Sequence, residues 1–592
     1  MKKLLVKGIA FIALLSIVIA ACNPLKKMAK RYPEVQSKYK VTPEVLTLKG
    51  DSVEFSVSGA VPANYFHKKV FVDFTPTIIY PAEGGNAKDQ KVKTLRGEAT
   101  DGEGDKIEFA KGGGFNEKYK FAYEKAMETS AVKVKASGRF KTKSKELSID
   151  TVIAQGTIIT QLLVKGDDRP ILAKDNFVKT IPVSYSAEIN YLVNSSAIQP
   201  KELGDMDMKD LMNSFKAADS TGIIINSISV SAYASPDGEL TLNENLANDR
   251  AKSGANAVKD MYKKIGDEMK KKKNTDGAAK MEAMAKNDGM FSMAGKGEDW
   301  DGFKKLMQAS EIKDKDLIIR ILEMYSDPQK REQEIKNLAK TYLEVADKIL
   351  PKLRRSQISV SGEKKSRSDE QIKMTFNTAP DSLSIEELLY GATLTNDLNE
   401  KTKYYQQSAK MYSADWRTHN NLGYCYLMQN KLSEAKAELE KAGTAEAIAN
   451  NNMGVVQKLM GNRAKAEELY NSATSAGSDV NYNLGIIKIQ KGEYDGAVAN
   501  FGESKTFNAA LAQLLSENPD AALNTIDASE DKSSAEGYYL KAIIGARKKN
   551  AEMLANNLKS AISKDASYKE KAKKDAEFIK FRNDSNFKSA VQ

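Results

Sequence analysis

Asn421-Leu422-Gly423, Asn452-Met453-Gly454 and Asn483-Leu484-Gly485 recur every 31 residues, and Ala435, Ala466 and Ala497 follow at the same spacing. Leu439, Tyr470 and Phe501 keep that register, as do Ala442, Ala473 and Ser504. Small residues at two fixed points with a large one between them suit stacked helix pairs. Glycine and alanine let two helices approach, and the large side chain fills the gap. Gly423, Ala435, Gly454, Ala466, Gly485 and Ala497 are therefore the expected packing positions. Residues before Trp416 and after Asn508 are expected to add degenerate or capping pairs, because the ends of a solenoid must turn a polar face to water. Cys425, flanked by Tyr424 and Tyr426 on the first helix of a repeat, reads as a buried packing residue.

This register resembles the tetratricopeptide repeat (TPR), whose usual period is about 34 residues. The shorter period here implies tighter turns between repeats. The resemblance implies an all-α TPR solenoid over residues 384–592 whose concave surface holds a protein partner.

Upstream, the pattern alternates strand, helix, strand, helix. Ile189, Tyr191 and Val193 alternate, and Lys201 to Ala217 carries Leu203, Met206, Leu211 and Phe215 at helical spacing. Ile223 to Tyr233 reads as a second strand and Asn243 to Tyr262 as a second helix. Between them stands Ala234-Ser235-Pro236-Asp237-Gly238-Glu239-Leu240-Thr241-Leu242-Asn243-Glu244-Asn245-Leu246-Ala247-Asn248-Asp249-Arg250-Ala251. Gly238, Asn243, Leu246, Arg250 and Ala251 resemble, in register, the signature of the OmpA-like peptidoglycan-binding domain, which implies an α+β domain over residues 183–378. Gln357 to Val360 and Ile372 to Phe376 are the expected closing strands, with residues 263–355 a helical insertion similar to that of OmpA-like lipoproteins of the Bacteroidetes. The family holds wall diaminopimelate between an aspartate and an arginine, whose planar fork donates two parallel bonds to a carboxylate. Ser235 stands where the family has that aspartate. The candidate peptidoglycan contacts are Ser235, Asp237, Asn243 and Arg250, and a role for Arg250 in packing alone is an equal alternative.

Residues 46–182 read as a β-sandwich-like, β-rich domain. Val53, Phe55 and Val57 alternate with polar residues, Val132 and Val134 do the same, and Gly156 divides a β-rich stretch from Ile149 to Val164. Residues 22–45 read as a tether, the stretch from Asn23 to about Val41 being polar and basic with two prolines.

The first 21 residues read as a secretory signal, with Lys2, Lys3 and Lys7 before an apolar run from Ile9 to Ala20. That run is too short for a permanent membrane span. Ile19-Ala20-Ala21-Cys22 resembles the lipobox of bacterial lipoproteins, which implies lipid attachment at Cys22 and anchorage in the cell outer membrane. The stretch after Cys22 lacks the acidic cluster associated with surface export in the Bacteroidetes, which points to the periplasmic face.

The chain has 592 residues and a formal charge of +11, a weak basic bias for its length. Lys270 to Lys273 is the densest cationic cluster, but no aromatic residues interleave with it, so no nucleic acid partner is expected. Two histidines and two cysteines at unrelated positions give no metal-ligand or triad spacing, and GxxxxGK[ST], HExxH and GxSxG are absent from the sequence. No cofactor or metal is expected. The function implied is a non-enzymatic cell-envelope lipoprotein acting as a periplasmic adaptor. The alternatives are a peptidoglycan-binding structural tether, a component of a secretion or gliding apparatus and, with least in its favour, an enzyme of wall or glycan metabolism.

Overall fold

The computed structural model describes residues 23–81, 86–147 and 152–592. Cys22 and the signal segment lie outside the described residues. The chain divides into two compact units, one formed by the chain up to Lys174 together with Asn396–Gln592, the other by Asp175–Thr395. The β-rich region and the helical repeats, expected as separate domains, thus share one unit.

In the first unit the strands are β1 (Lys40–Thr42), β2 (Val45–Lys49), β3 (Ser52–Val61), β4 (Phe71–Tyr80), β5 (Asn86–Asp89), β6 (Lys93–Gly97), β7 (Asp105–Ile107), β8 (Gly113–Ala122), β9 (Ala131–Phe140), β10 (Lys143–Glu146) and β11 (Val152–Ile158). They form one hydrogen-bonded sheet in the order β1-β3-β2-β11-β9-β4-β6-β7, with β8 on β3, β5 on β4 and β10 on β9. The sheet closes over a single core that includes Val53, Phe55, Val57, Phe74, Phe115 and Val132. The alternation in β3 and β9 follows from the two-residue period of a half-buried strand.

The expected tether is folded instead. Pro24–Arg31 is a helix capped by Asn23, and Leu25, Met28, Tyr32 and Val35 are buried in the β core. Their spacing places four apolar side chains on one face, which outweighs the lysines on the other.

The helical repeats pair Trp416–Met428 with Leu432–Ala442, Ala447–Leu459 with Arg463–Ser472, and Ser478–Lys491 with Tyr494–Phe501. Phe507–Leu515 with Pro519–Asp527 and Ala535–Arg547 with Ala551–Lys564 extend the array. A Cβ on Gly423 would lie 2.7 Å from Leu439, on Gly454 2.5 Å from Tyr470, and on Gly485 2.7 Å from Phe501. Each glycine therefore receives the large residue of its own pair. Ala435, Ala466 and Ala497 have no exposed surface. Sheet and array are joined by Gln161, which exchanges two hydrogen bonds with the Gly50 backbone and accepts one from Tyr494. Arg463 pairs with Asp51, and Lys580 with Glu44. Gly156 has a positive φ of 67° and approaches Ala576 where a Cβ would lie 2.7 Å away, so no other residue fits there without strain.

The second unit holds β12 (Thr180–Asn190), β13 (Ile223–Ala234), β14 (Phe291–Glu298) and β15 (Arg355–Lys365) in the order β12-β15-β13-β14, with β13 and β14 parallel and the other pairs antiparallel. Helices Met206–Thr221 and Leu240–Lys271 pack on this sheet, with Phe215 stacked on Tyr262. Two expectations are corrected. Ile372 to Phe376 lies in helix Asp369–Thr378, because Ser368 and Gln371 form a capping box that outweighs the alternating pattern. β14 lies inside the expected insertion, so only Trp300 to Leu353 closes a separate small core, around Phe303, Ile318, Val345 and Leu353. Helix Ile385–Thr393, placed with the repeats by sequence, belongs to this second unit. Among the described residues, no helix is long and apolar enough to cross a membrane.

Candidate functional site: an asparagine-lined groove

The first helices of successive pairs lie side by side and form an inner face, Asn483 bridging to Asn451 between the second and third of them. On this face stand Asn421, Asn452, Asn483 and Asn508, each at most 1% exposed. After β11 the chain turns through Thr160–Leu163 and crosses the face as an extended strap.

The strap is held by its backbone. Asn483 accepts the Arg169 N–H at 2.7 Å and donates to the Arg169 carbonyl at 3.1 Å. Asn452 does the same for Ile171 at 2.7 Å and 2.7 Å, and Asn421 for Ala173 at 2.7 Å and 2.9 Å. Asn508 serves Lys165 at 2.8 Å and 3.0 Å. A carboxamide carries one acceptor and one donor group, and so can copy the edge of a β-strand. Residues two apart in an extended chain present both backbone groups to the same side, which is why Arg169, Ile171 and Ala173 meet successive repeats. The strap runs from Asn508 to Asn421, opposite to the order of the helix pairs.

Side chains fix the register. Asp168 pairs with Lys458 and accepts from the Tyr470 hydroxyl at 3.0 Å. Asp167 accepts from Tyr482 at 2.8 Å and from Asn508 at 2.8 Å. The Arg169 guanidinium lies 3.8 Å from the centre of the Tyr482 ring and 3.2 Å from Asp479. Burial, reinforced by Asp168, raises the Tyr470 pKa far above the ordinary phenol value, so this hydroxyl is a neutral donor at any physiological pH. Lys165 pairs with Asp531. The inner face, expected to hold a separate protein, is filled by the chain's own residues 165–173.

The second unit arranges its candidate residues differently. Ser235 donates to Asp237 at 2.5 Å and accepts from Arg354 at 3.1 Å, while Arg354 lies 3.8 Å from Asp237. Asn243 donates to Glu298 at 2.9 Å, and burial raises the pKa of that carboxyl. Arg250 lies near enough for Arg354 and Asp237 to act on its charge, but its hydrogen bonds go elsewhere. It is 1% exposed, and its guanidinium donates to the backbone carbonyls of Ser195 at 3.0 Å, Tyr233 at 2.9 Å and Leu192 at 3.1 Å. Burial brings its pKa down to about 10. Ser235, Asp237 and Asn243 are thus brought together with Arg354, which lies within the segment 263–355 that the sequence marks only as a helical insertion. Its signal is the Arg354-Arg355 pair at the very start of a strand.

Among the described residues, no group of histidine, cysteine and carboxylate side chains is placed to hold a metal ion. Cys425 is fully buried, and burial pushes its thiol up to about 11.

No family model matches the chain, and no curated protein does. Solved structures do. A tetratricopeptide repeat protein from Parabacteroides merdae ATCC 43184 is 16% identical, with 41% of this chain and 98% of that one covered at a TM-score of 0.27. The C-terminal part of a TPR repeat-containing protein from Cytophaga hutchinsonii is 14% identical, covering 35% and 92% at a TM-score of 0.27. YrrB, described as a TPR protein with an unusual peptide-binding site, is 19% identical, covering 35% and 100% at a TM-score of 0.22. TPR proteins are thus structural neighbours of this chain. At these scores the likeness carries nothing about function.

Proposed function

We propose that this chain is a non-enzymatic scaffold of the cell envelope, anchored in the outer membrane through a lipid on Cys22 and facing the periplasm, with its TPR-like array as the protein-interaction module. The observation that carries the reading is the inner face of the array, whose asparagines bind an extended backbone rather than a reacting group. Because residues 165–173 occupy that face, partners meet the array first at its other surfaces. Met428, Leu459 and Met460 stand at the ends of successive first helices and are 52%, 49% and 44% exposed. Photo-crosslinkers at Met428 and Met460 should capture one envelope protein in common. Cys22→Ala should abolish incorporation of labelled fatty acid and move the protein to the soluble fraction. Unchanged membrane partitioning would remove the anchor from the scheme, and crosslinks to unrelated proteins at the two positions would remove the scaffold.

A second reading, wall contact by an OmpA-like second unit, is supported by the strand order β12-β15-β13-β14 around the quoted motif and by the polar cluster of Ser235, Asp237, Asn243 and Arg354. On this reading Arg354, rather than Arg250, receives a wall carboxylate, since Arg250 is occupied by three carbonyls. Arg354→Ala should then abolish sedimentation with purified peptidoglycan, while Ser235→Asp should strengthen it about tenfold by pairing with the ligand's ammonium. Sedimentation unchanged in both variants would leave the second unit without a wall ligand.

A further inference from the structure

We infer that the asparagine-lined face is a receptor for an extended peptide carrying two acidic residues followed by an arginine, and that residues 165–173 are its resident, exchangeable occupant. The inference rests on the scaffold reading and gives its array a ligand.

Three observations carry it. First, the groove is preformed. Asn420 donates to Asn421, Asn451 to Asn452, Asn452 to Asn420 at 3.0 Å and Asn483 to Asn451 at 2.9 Å, so the amides are aligned along the face by one another as well as by the strap. Receptor groups held in their bound orientation lose little freedom when a ligand arrives. Second, the strap adds little to the hydrophobic cores. The clusters around Tyr470 and Ile543 are closed by helix residues; among the described residues, the strap side chains packed against them are Val164, at its entry, and Ile171, and the small Ala173 is buried at its far end. None of residues 166–172 is buried as a whole, and Gly166 has nothing within 4 Å of where a Cβ would stand. The strap can therefore leave without opening a helix pair. Third, the side-chain contacts define a charge sequence. Lys458 and Tyr470 receive Asp168, Tyr482 and Asn508 receive Asp167, and the Tyr482 ring with Asp479 receives Arg169. Asp479 and Asp531 on the same face oppose a uniformly anionic ligand such as a nucleic acid, so a peptide of mixed charge is the fitting class.

A resident strap competes as a tethered ligand, whose effective concentration is on the order of millimolar. The test uses the full-length protein and a fluorescent peptide with the sequence of residues 164–174. Ile171→Pro with Ala173→Pro removes the two N–H groups that Asn452 and Asn421 accept, while every helix keeps its sequence. Peptide should bind this variant at one per chain and wild type about a hundredfold more weakly. Adding Asn452→Ala and Asn483→Ala should abolish binding, and a peptide with lysines in place of its two aspartates should bind at least about tenfold more weakly. A double-proline variant that keeps the helical content and melting of the array yet binds no peptide overturns the inference. So does binding indifferent to the asparagines or to the charge change. If the proline variant does not fold, wild type supplies the answer through hydrogen exchange. Excess peptide should accelerate exchange at the Arg169, Ile171 and Ala173 amides, and unchanged protection at millimolar peptide overturns the proposal. Failure here leaves crosslinking at Met428 and Met460 untouched, so loss of this ligand and loss of the scaffold reading remain distinguishable.

Discussion

The asparagines of the helical array and Arg250 of the second unit solve the same problem with different chemistry. Both are buried polar side chains that bind the chain's own backbone. A carboxamide donates and accepts, so a row of them holds a regular extended strand by its N–H and carbonyl groups alike. A guanidinium only donates, so Arg250 gathers three carbonyls from Leu192, Ser195 and Tyr233, which belong to a loop and a strand end. The four asparagines and Arg250 are alike in burial, each at most 1% exposed, while the segments they hold, the strap and the loop of Leu192 and Ser195, lie part-open to water. What differs is size and charge, since Arg250 fills its site with a guanidinium and each asparagine fills its own with a carboxamide. A motif residue of the kind that contacts ligands is, in both places, committed first to the chain itself.

That contrast orders the expected effects. Arg250→Ala should be the most damaging change, at about 4 kcal/mol, because it removes three charge-assisted hydrogen bonds and leaves a large cavity where a fully buried side chain stood. Calorimetry should show the transition of Asp175–Thr395 lowered while that of the first unit stays in place. Two transitions falling together would mean that the units do not fold independently, and a loss under about 1 kcal/mol would mean that water replaces the guanidinium at the three carbonyls and in the space it leaves.

Gly454→Val should cost about 3 kcal/mol, since a Cβ there would stand 2.5 Å from the Tyr470 ring inside a filled core. The comparison makes a specific demand on limited proteolysis. The β-rich region should become sensitive together with the array, because Arg463–Asp51 and the Gln161 bonds tie them into one unit, while residues 175–395 should stay resistant. Selective loss of the helices alone would separate sheet from array.

Much of this was readable in the sequence, and what was not has physical reasons. The 31-residue register yields the pairing of Gly454 with Tyr470, because close helix contacts demand a small residue against a large one. The asparagine of the same triplet shows in the sequence only as part of the register. Its role depends on a segment some 300 residues away, and Lys165 to Lys174 has neither strand alternation nor helical period. Leu25, Met28, Tyr32 and Val35 were hidden by the lysines between them. β14 is hidden in the sequence because Gly295 and Gly297 weaken its strand pattern. Gly295 is needed there, since a Cβ would come within 2.5 Å of the Asn248 backbone nitrogen. Arg250 was legible as a special residue but not in its use, because the carbonyls it binds come from a loop whose path the sequence does not reveal.

Asn452→Ala should be the mildest of the three changes, and its size measures how open the groove is. Asn452 accepts the Ile171 N–H and donates to the Ile171 carbonyl and to Asn420, so truncation removes both strap bonds of one repeat. The Ile171 carbonyl keeps a second donor in Asn420 at 3.2 Å, and the neighbouring repeats still hold Arg169 and Ala173. If water enters beside the half-buried strap, each lost bond should count at its net worth of roughly 0.5–1.5 kcal/mol, giving a total of about 2 kcal/mol. Exchange of the Ile171 amide should quicken while that of Ala173 stays slow. Asn452→Asp should be worse than alanine. It keeps the acceptor for the Ile171 N–H, but it sets a negative charge against the Ile171 carbonyl and the Asn420 side-chain oxygen, both of which need a donor. If alanine proved as costly as Arg250→Ala, the size and charge of the lost side chain would not set the cost, and the contrast between carboxamide and guanidinium would fall.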